Sequence, residues 1–190
     1  MNKRLYPIWA SLLVLVFFTI RYILSKNYEF LTYVVVLGAT IYFIFKSDKF
    51  FKYPALARWG FAIWMFLHLA GGSFKIAGVR LYDYILVPLV GEPYNFLRYD
   101  QVIHTYCYFV ITLFVYSVVL FVAKDKIRTK TAFVLIFLGG IGIGAINEII
   151  EFSTVALFNA KGVGDYFNNS LDLIFNSLGA LIAAFYSRKY

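Results

Sequence analysis

Six side chains that are costly to bury in a lipid bilayer stand in or beside long apolar stretches of this chain. They are His68, Asp100, His104, Glu148, Glu151 and Asp172. A charged side chain at the centre of a membrane-spanning helix costs about 2.5–3.5 kcal/mol on insertion scales. Several such residues facing lipid would cost as much as the folding free energy of a whole domain. We therefore expect all six to face inward, toward one another or toward a ligand.

Histidine and carboxylate side chains together are the ligands of a divalent cation. Imidazole suits Zn, Fe or Cu, and carboxylates extend the range to Mn. We therefore predict a Zn, Mn or Fe site with all six residues as candidate ligands, and Glu148 and His104 as catalytic groups. Asp100 and His104 form the strongest pair, because their one-turn spacing lets the carboxylate orient the imidazole or lets both bind one ion.

Three further residues are predicted to contact a substrate. Arg98 would neutralise the acidic cluster of Asp100, Glu148, Glu151 and Asp172 or bind an anionic headgroup, and the alternative is an ordinary interfacial arginine. Asn176 follows Asp172 by one helical turn and shares its helix face. Asp165 lies in a polar, glycine-containing stretch before the last apolar run, which is typical of a loop.

The same residues fit two other interpretations: a substrate-binding or proton-relay site, or a buried network of His–carboxylate and carboxylate–amide pairs that holds helices in register. Four carboxylates cannot all stay ionised close together in a low-dielectric site that offers two histidines. Either a divalent cation balances them or at least one is protonated at neutral pH.

The elements that position these residues must be membrane helices. Of the 190 residues, 62% are hydrophobic, against about 45–50% in soluble domains. We predict an all-α, polytopic membrane protein with one domain. Its six helices are predicted near residues 6–24, 29–45, 57–72, 101–123, 131–152 and 170–186. The single cysteine, Cys107, excludes an intramolecular disulfide and a Cys-based metal cage.

The basic residues set the predicted orientation. With both termini in the cytoplasm, the cytoplasmic side holds twelve of the eighteen Lys and Arg residues. These are Lys3, Arg4, Lys46, Lys49, Lys52, Arg58, Lys124, Lys126, Arg128, Lys130, Arg188 and Lys189. The net charge of +8 is thus explained by topology, without a nucleic-acid partner. All six polar residues then fall in the extracytoplasmic half of the inner membrane of a prokaryote.

Short polar motifs recur in order along the chain. They are His68-Leu-Ala-Gly-Gly, Arg98-Tyr-Asp-Gln-Val-Ile-His104, Asn147-Glu-Ile-Ile-Glu151, Gly164-Asp-Tyr, Ser170-Leu-Asp172 and Asn176-Ser-Leu-Gly179. In these motifs the chain resembles the YjdF-like family of bacterial inner-membrane proteins, whose function is unknown. It is more distantly similar to VanZ-like envelope proteins, which carry Asp-x-x-x-His and Asp-x-x-x-Asn-x-x-Gly. The resemblance implies a shared polytopic fold and a shared polar site. The chain departs from the YjdF-like pattern at Asn168, where an acidic residue is expected.

These observations predict a metal-dependent membrane enzyme that acts on a lipid, an isoprenoid-linked compound or another envelope component. The alternative is a non-enzymatic binding or transport protein whose carboxylates couple to protons or a cation. Nucleophilic hydrolysis has no support, because no Gly-x-Ser-x-Gly motif occurs. The absence of an internal duplication favours the enzyme over the transporter.

Overall fold

The computed structural model describes residues 3–92, 96–124, 126–158 and 166–188. These residues form six α-helices with short strands between the third and the fourth. The helices are α1 Tyr6–Leu24, α2 Tyr28–Phe51, α3 Ala55–Ser73, α4 Tyr99–Ala123, α5 Thr129–Phe158 and α6 Tyr166–Ser187. Asp165, one of the predicted substrate contacts, lies outside the described residues.

Five of the helices in the described ranges, α1, α2, α4, α5 and α6, are long and apolar enough to cross a membrane. The chain is therefore a helical, multi-pass membrane protein. Helices are the expected elements, because a segment in lipid must satisfy its backbone hydrogen bonds within itself. Prolines fall where a helix tolerates them: Pro7 is in the first turn of α1, and Pro54 directly precedes α3.

The remaining helix, α3, lies alongside α1 from one end of the bundle to the other. At one end the Arg58 guanidinium donates to the carbonyl of Arg4 at 2.7 Å. At the other end the Tyr22 hydroxyl donates to the carbonyl of Leu69, and the Arg21 guanidinium donates to the Ser73 hydroxyl. With 19 residues, α3 is about 28 Å long, which matches the hydrocarbon thickness of a bilayer.

The segment between α3 and α4 contains two short antiparallel strand pairs that the all-α prediction did not include. The pairs are β1 Lys75–Ile76 with β2 Val79–Arg80, and β3 Ile85–Val90 with β4 Phe96–Arg98. The first hairpin turns at Ala77 and Gly78, which both have positive φ, as a type I′ hairpin turn requires. A 3₁₀ turn at Leu81–Asp83 joins the pairs and carries Tyr82 into the interior.

Candidate functional site

The site lies where the beginnings of α4 and α6 meet the second half of α5. Gly179 of α6 lies against the backbone of α4 at Thr105 and Phe109, so any side chain there would push the two helices apart. Gly144 of α5 lies against the side chain of Asn176 of α6, where an added methyl group would be crowded. These small residues let the three helices approach closely, and this approach brings their polar side chains within bonding distance.

His104 is held through its Nδ1 atom by Asn176. The distance from His104 Nδ1 to Asn176 Oδ1 is 2.9 Å, and Asn176 Nδ2 donates to Glu148 Oε1 at 2.8 Å. Because the amide nitrogen serves Glu148, the amide oxygen must face the imidazole, and an oxygen can only accept. Nδ1 of His104 therefore carries a hydrogen, and a neutral ring has its lone pair on Nε2.

The Nε2 atom of His104 faces two carboxylates. It lies 3.6 Å from Asp100 Oδ1 and 3.9 Å from Asp172 Oδ2. One potential ligand atom from each of these three residues lies within 4.8 Å of the other two. A ring lone pair that converges with two carboxylates can be balanced only by a proton or by a cation, and this mixture of nitrogen and oxygen donors suits Zn, Mn or Fe.

Asp172 is the most enclosed member of this group, with none of its surface exposed. Its Oδ2 accepts a hydrogen bond from Asn168 Nδ2, and the same amide group donates to Asp100 Oδ2 at 3.1 Å. Among the described residues, its Oδ1 has no hydrogen-bond donor. An unsatisfied acceptor buried in this way costs about 1–3 kcal/mol. A bound cation would offset this cost.

Glu148 lies on the other side of the imidazole ring from this group. Its Oε1 is 3.5 Å from His104 Nδ1, and its Oε2 accepts from Asn169 Nδ2 at 3.0 Å. With only 4% of its side chain exposed, the carboxylate is surrounded by amide donors. Glu148 is therefore placed to orient Asn176 and His104, and its predicted role as a catalytic group or metal ligand stays a prediction.

The structure does not bring Glu151 into the three-residue group. Its Oε1 accepts from Asn147 Nδ2 at 2.9 Å, and the same nitrogen is 3.4 Å from Glu148 Oε1. Asn147 thus links the two glutamates along α5. Glu151 thus lies beside the three-residue group, and its predicted role as a ligand stays a prediction.

His68 is also separate from this group. Its Nδ1 is hydrogen bonded to the hydroxyl of Tyr82, and its ring packs against Tyr33 and Trp64. Burial raises the pKa of the Tyr82 hydroxyl well above its usual value of 10.0, and the negative charge of Asp100 raises it further. Tyr82 therefore keeps its proton and ties the segment between α3 and α4 to the end of α3.

The predicted substrate contacts have different surroundings. Asn176 is inside the site, as described above. Arg98 immediately precedes α4, where its backbone N–H donates to Gln101 Oε1 at 3.0 Å. In the described part of the chain, no ion pair joins Arg98 to the acidic cluster.

Sequence reasoning underrated the amide side chains. Asn168 bridges Asp100 and Asp172, and Asn169 holds Glu148 from the neighbouring helix. The four-residue spacing from Asn168 to Asp172 was a usable signal, since such residues share a helix face. The contact between Asn169 and Glu148 crosses from α6 to α5, and helical spacing carries no information about it.

Comparison with known proteins places the chain in a family. No curated protein and no solved structure matches it. Residues 6–190 match the family described as "Predicted membrane protein (DUF2238)". That description agrees with the apolar helices found here, and because the match covers almost the whole chain, this protein belongs to that family.

Proposed function

We propose that this protein holds a divalent cation, Zn, Mn or Fe, between Asp100, His104 and Asp172. The observation that carries the proposal is the direction of the His104 Nε2 lone pair, which faces the carboxylates of Asp100 and Asp172. Among the described residues, the buried Oδ1 of Asp172 has no hydrogen-bond donor. Asn176 and Glu148 act as the outer partners that fix the tautomer and orientation of a metal-binding histidine.

The charge around the site supports a cation over a purely structural network. Four carboxylates, Asp100, Glu148, Glu151 and Asp172, surround one imidazole. Within the described ranges, no Lys or Arg makes an ion pair with any of the four. A network built only for stability would be balanced by its own donors, whereas this one has four carboxylates and no paired Lys or Arg among the described residues, which a bound cation would balance.

We further propose six membrane crossings with both termini in the cytoplasm of a prokaryote. The full-length alignment of α3 with α1 supports a sixth crossing, and the distribution of Lys and Arg supports the orientation. The cation site then faces the extracytoplasmic side.

A cysteine introduced at Lys75 should react with an impermeant thiol reagent in intact cells, whereas one at Lys126 should not. Labelling at Lys126 alone would reverse the orientation. Cys107 is buried and gives a low background.

The proposed activity is that of a metal-dependent enzyme acting on a lipid or another envelope component. The exposure of the site on one side supports an enzyme, because a substrate needs access to the cation. The side chains of Asp100 and His104 are 15% and 14% exposed, while Asp172 and Glu148 are enclosed. A molecule could thus reach one side of the cation from the surface. A bound Zn, Mn or Fe ion supplies Lewis-acid chemistry there. The motifs that resemble YjdF-like and VanZ-like proteins fall on these same residues.

The second candidate is a binding or transport protein that couples to protons. It is favoured by Asn168, whose amide group joins Asp100 and Asp172 into one hydrogen-bonded unit. Two linked carboxylates beside an imidazole could share a proton. This interpretation needs no metal, and metal content therefore separates it from the first.

Elemental analysis of the detergent-purified protein tests the proposal. We expect a stoichiometric transition metal in the wild-type protein and its loss in the variants His104→Ala and Asp172→Asn. The variant Asp83→Asn is the matched control, because it removes a carboxylate that pairs with Arg80 at the surface. A wild-type protein free of metal, with a co-purified lipid at full occupancy, would favour the binding protein.

A further inference from the structure

A second site lies at the opposite end of the bundle. There α4, α5 and α6 leave a cleft of about 410 Å³ between them. Leu120, Ile127, Phe133 and Ile136 form the apolar part of its wall, and Tyr116, Thr129, Ser187 and Arg188 form the polar part. The cleft is far from His104, since it lies near the end of α4 and the beginning of α5, whereas His104 lies near the beginning of α4.

The mouth of this cleft carries a cation. Arg188 lines it, and the Arg188 guanidinium carbon is 5.8 Å from the centre of the Phe133 ring. Arg188 is exposed and forms no ion pair with a carboxylate of the described residues. Thr129 also lines the cleft. The mouth therefore offers hydrogen-bond donors and a positive charge to a ligand.

The surroundings add more positive charge. The connection between α4 and α5, together with the first turn of α5, contains Lys124, Lys126, Arg128 and Lys130 within seven residues, and all four are exposed. Asp125 is the only acidic residue of that sequence segment. Two of the residues that line the cleft, Ile127 and Thr129, belong to the same segment. The basic cluster therefore adjoins the cleft along the chain at Ile127 and Thr129.

We propose that this cleft binds an anionic phospholipid, with an acyl chain along the apolar wall and the phosphate at Arg188. A free phosphate would gain nothing from the apolar wall, and a lipid without net charge would gain little from the basic cluster. Basic pockets between membrane helices are recognised sites for anionic headgroups. The proposal depends on the cleft and on the charges around it, and it is independent of the cation site.

Native mass spectrometry with titrated lipid tests the charge requirement. Phosphatidylglycerol and phosphatidylcholine with identical acyl chains serve as the probes. We expect saturable binding of phosphatidylglycerol that Arg188→Gln weakens about fivefold, the effect of one basic residue near an anionic lipid. Lys75→Gln is the matched control, because it removes one exposed cation at the other end of the bundle. Equal binding of both lipids, or an equal effect of both variants, would overturn the proposal.

A second pair of variants tests the cleft itself without changing the charge. Ala132 lines the cleft, and Ala132→Phe should fill it and abolish saturable binding. Ala156→Phe makes the same change on an exposed part of the same helix and should leave binding intact. Equal binding by these two variants would contradict a site in the cleft. If inorganic phosphate alone bound as tightly as phosphatidylglycerol, the lipid would be ruled out and the cleft would be a simple anion site.

Discussion

Replacing Asp172 by asparagine distinguishes a bound cation from a metal-free network, because it removes a charge while keeping the size of the side chain. In the structure Asp172 is fully buried, and its Oδ1 has no donor among the described residues. Without a cation, a negative charge on Asp172 is buried close to Asp100 with nothing to compensate it, which destabilises the folded state. With a cation, the same charge contributes to binding. Asp172→Asn should therefore have opposite effects in the two cases.

The expected size of the effect follows from mass action. A metal present at about 100 times its dissociation constant stabilises the folded state by about 2.7 kcal/mol. For a chain of 190 residues, 1 kcal/mol shifts the melting temperature by about 2–4 °C. The wild-type protein should thus melt about 5–11 °C higher with metal than with chelator. Asp172→Asn should lose this difference, and in chelator it should melt at or above the wild-type temperature.

Thermal melting in detergent, with a strong chelator or with added Zn, Mn or Fe, measures both quantities. The control Asp83→Asn should behave like the wild-type protein, because a surface ion pair contributes about 0–1 kcal/mol. Wild-type melting that is indifferent to chelator and to all three metals would exclude a bound cation. If melting also rises as the pH falls toward about 5, where carboxylates begin to take up protons and lose their repulsion, the site is a protonated network.

Three further variants test the surroundings of the site. Asn176→Ala removes the partner of both His104 and Glu148, and it should weaken metal binding 10- to 100-fold in an equilibrium titration, the usual effect of losing an outer partner; unchanged affinity would contradict the orienting role. Gly179→Ala should lower stability by about 1–3 kcal/mol in chemical unfolding, because the new methyl group meets the backbone of α4. Gly142→Ala is its control, since a methyl group there meets nothing within 4 Å, and an equal loss in both variants would argue against tight packing at Gly179. Tyr82→Phe should cost about 0.5–1.5 kcal/mol of stability and leave metal content unchanged, whereas metal loss would bring His68 into the ligand set.

Hydropathy and helical spacing accounted for much of the helical framework. The apolar runs gave helices, because a chain in lipid must satisfy its backbone groups locally. The four-residue spacing placed Asp100 with His104 and Asp172 with Asn176, since residues one turn apart share a helix face. The strands between α3 and α4 were missed, because they are short and lie in a segment without clear alternation of polar and apolar residues.

What the sequence alone determined is therefore local: which segments are helical, and which polar residues share a face of one helix. The tertiary structure decided which of these faces meet. In the tertiary structure His68 is hydrogen bonded to Tyr82, and Glu148 accepts from the amide group of Asn176. Asp100, His104 and Asp172 lie together in one group. The physical reason is that these helices are apolar on most sides, so periodicity does not fix their rotation. That rotation is set where a glycine such as Gly179 lets one helix backbone approach another.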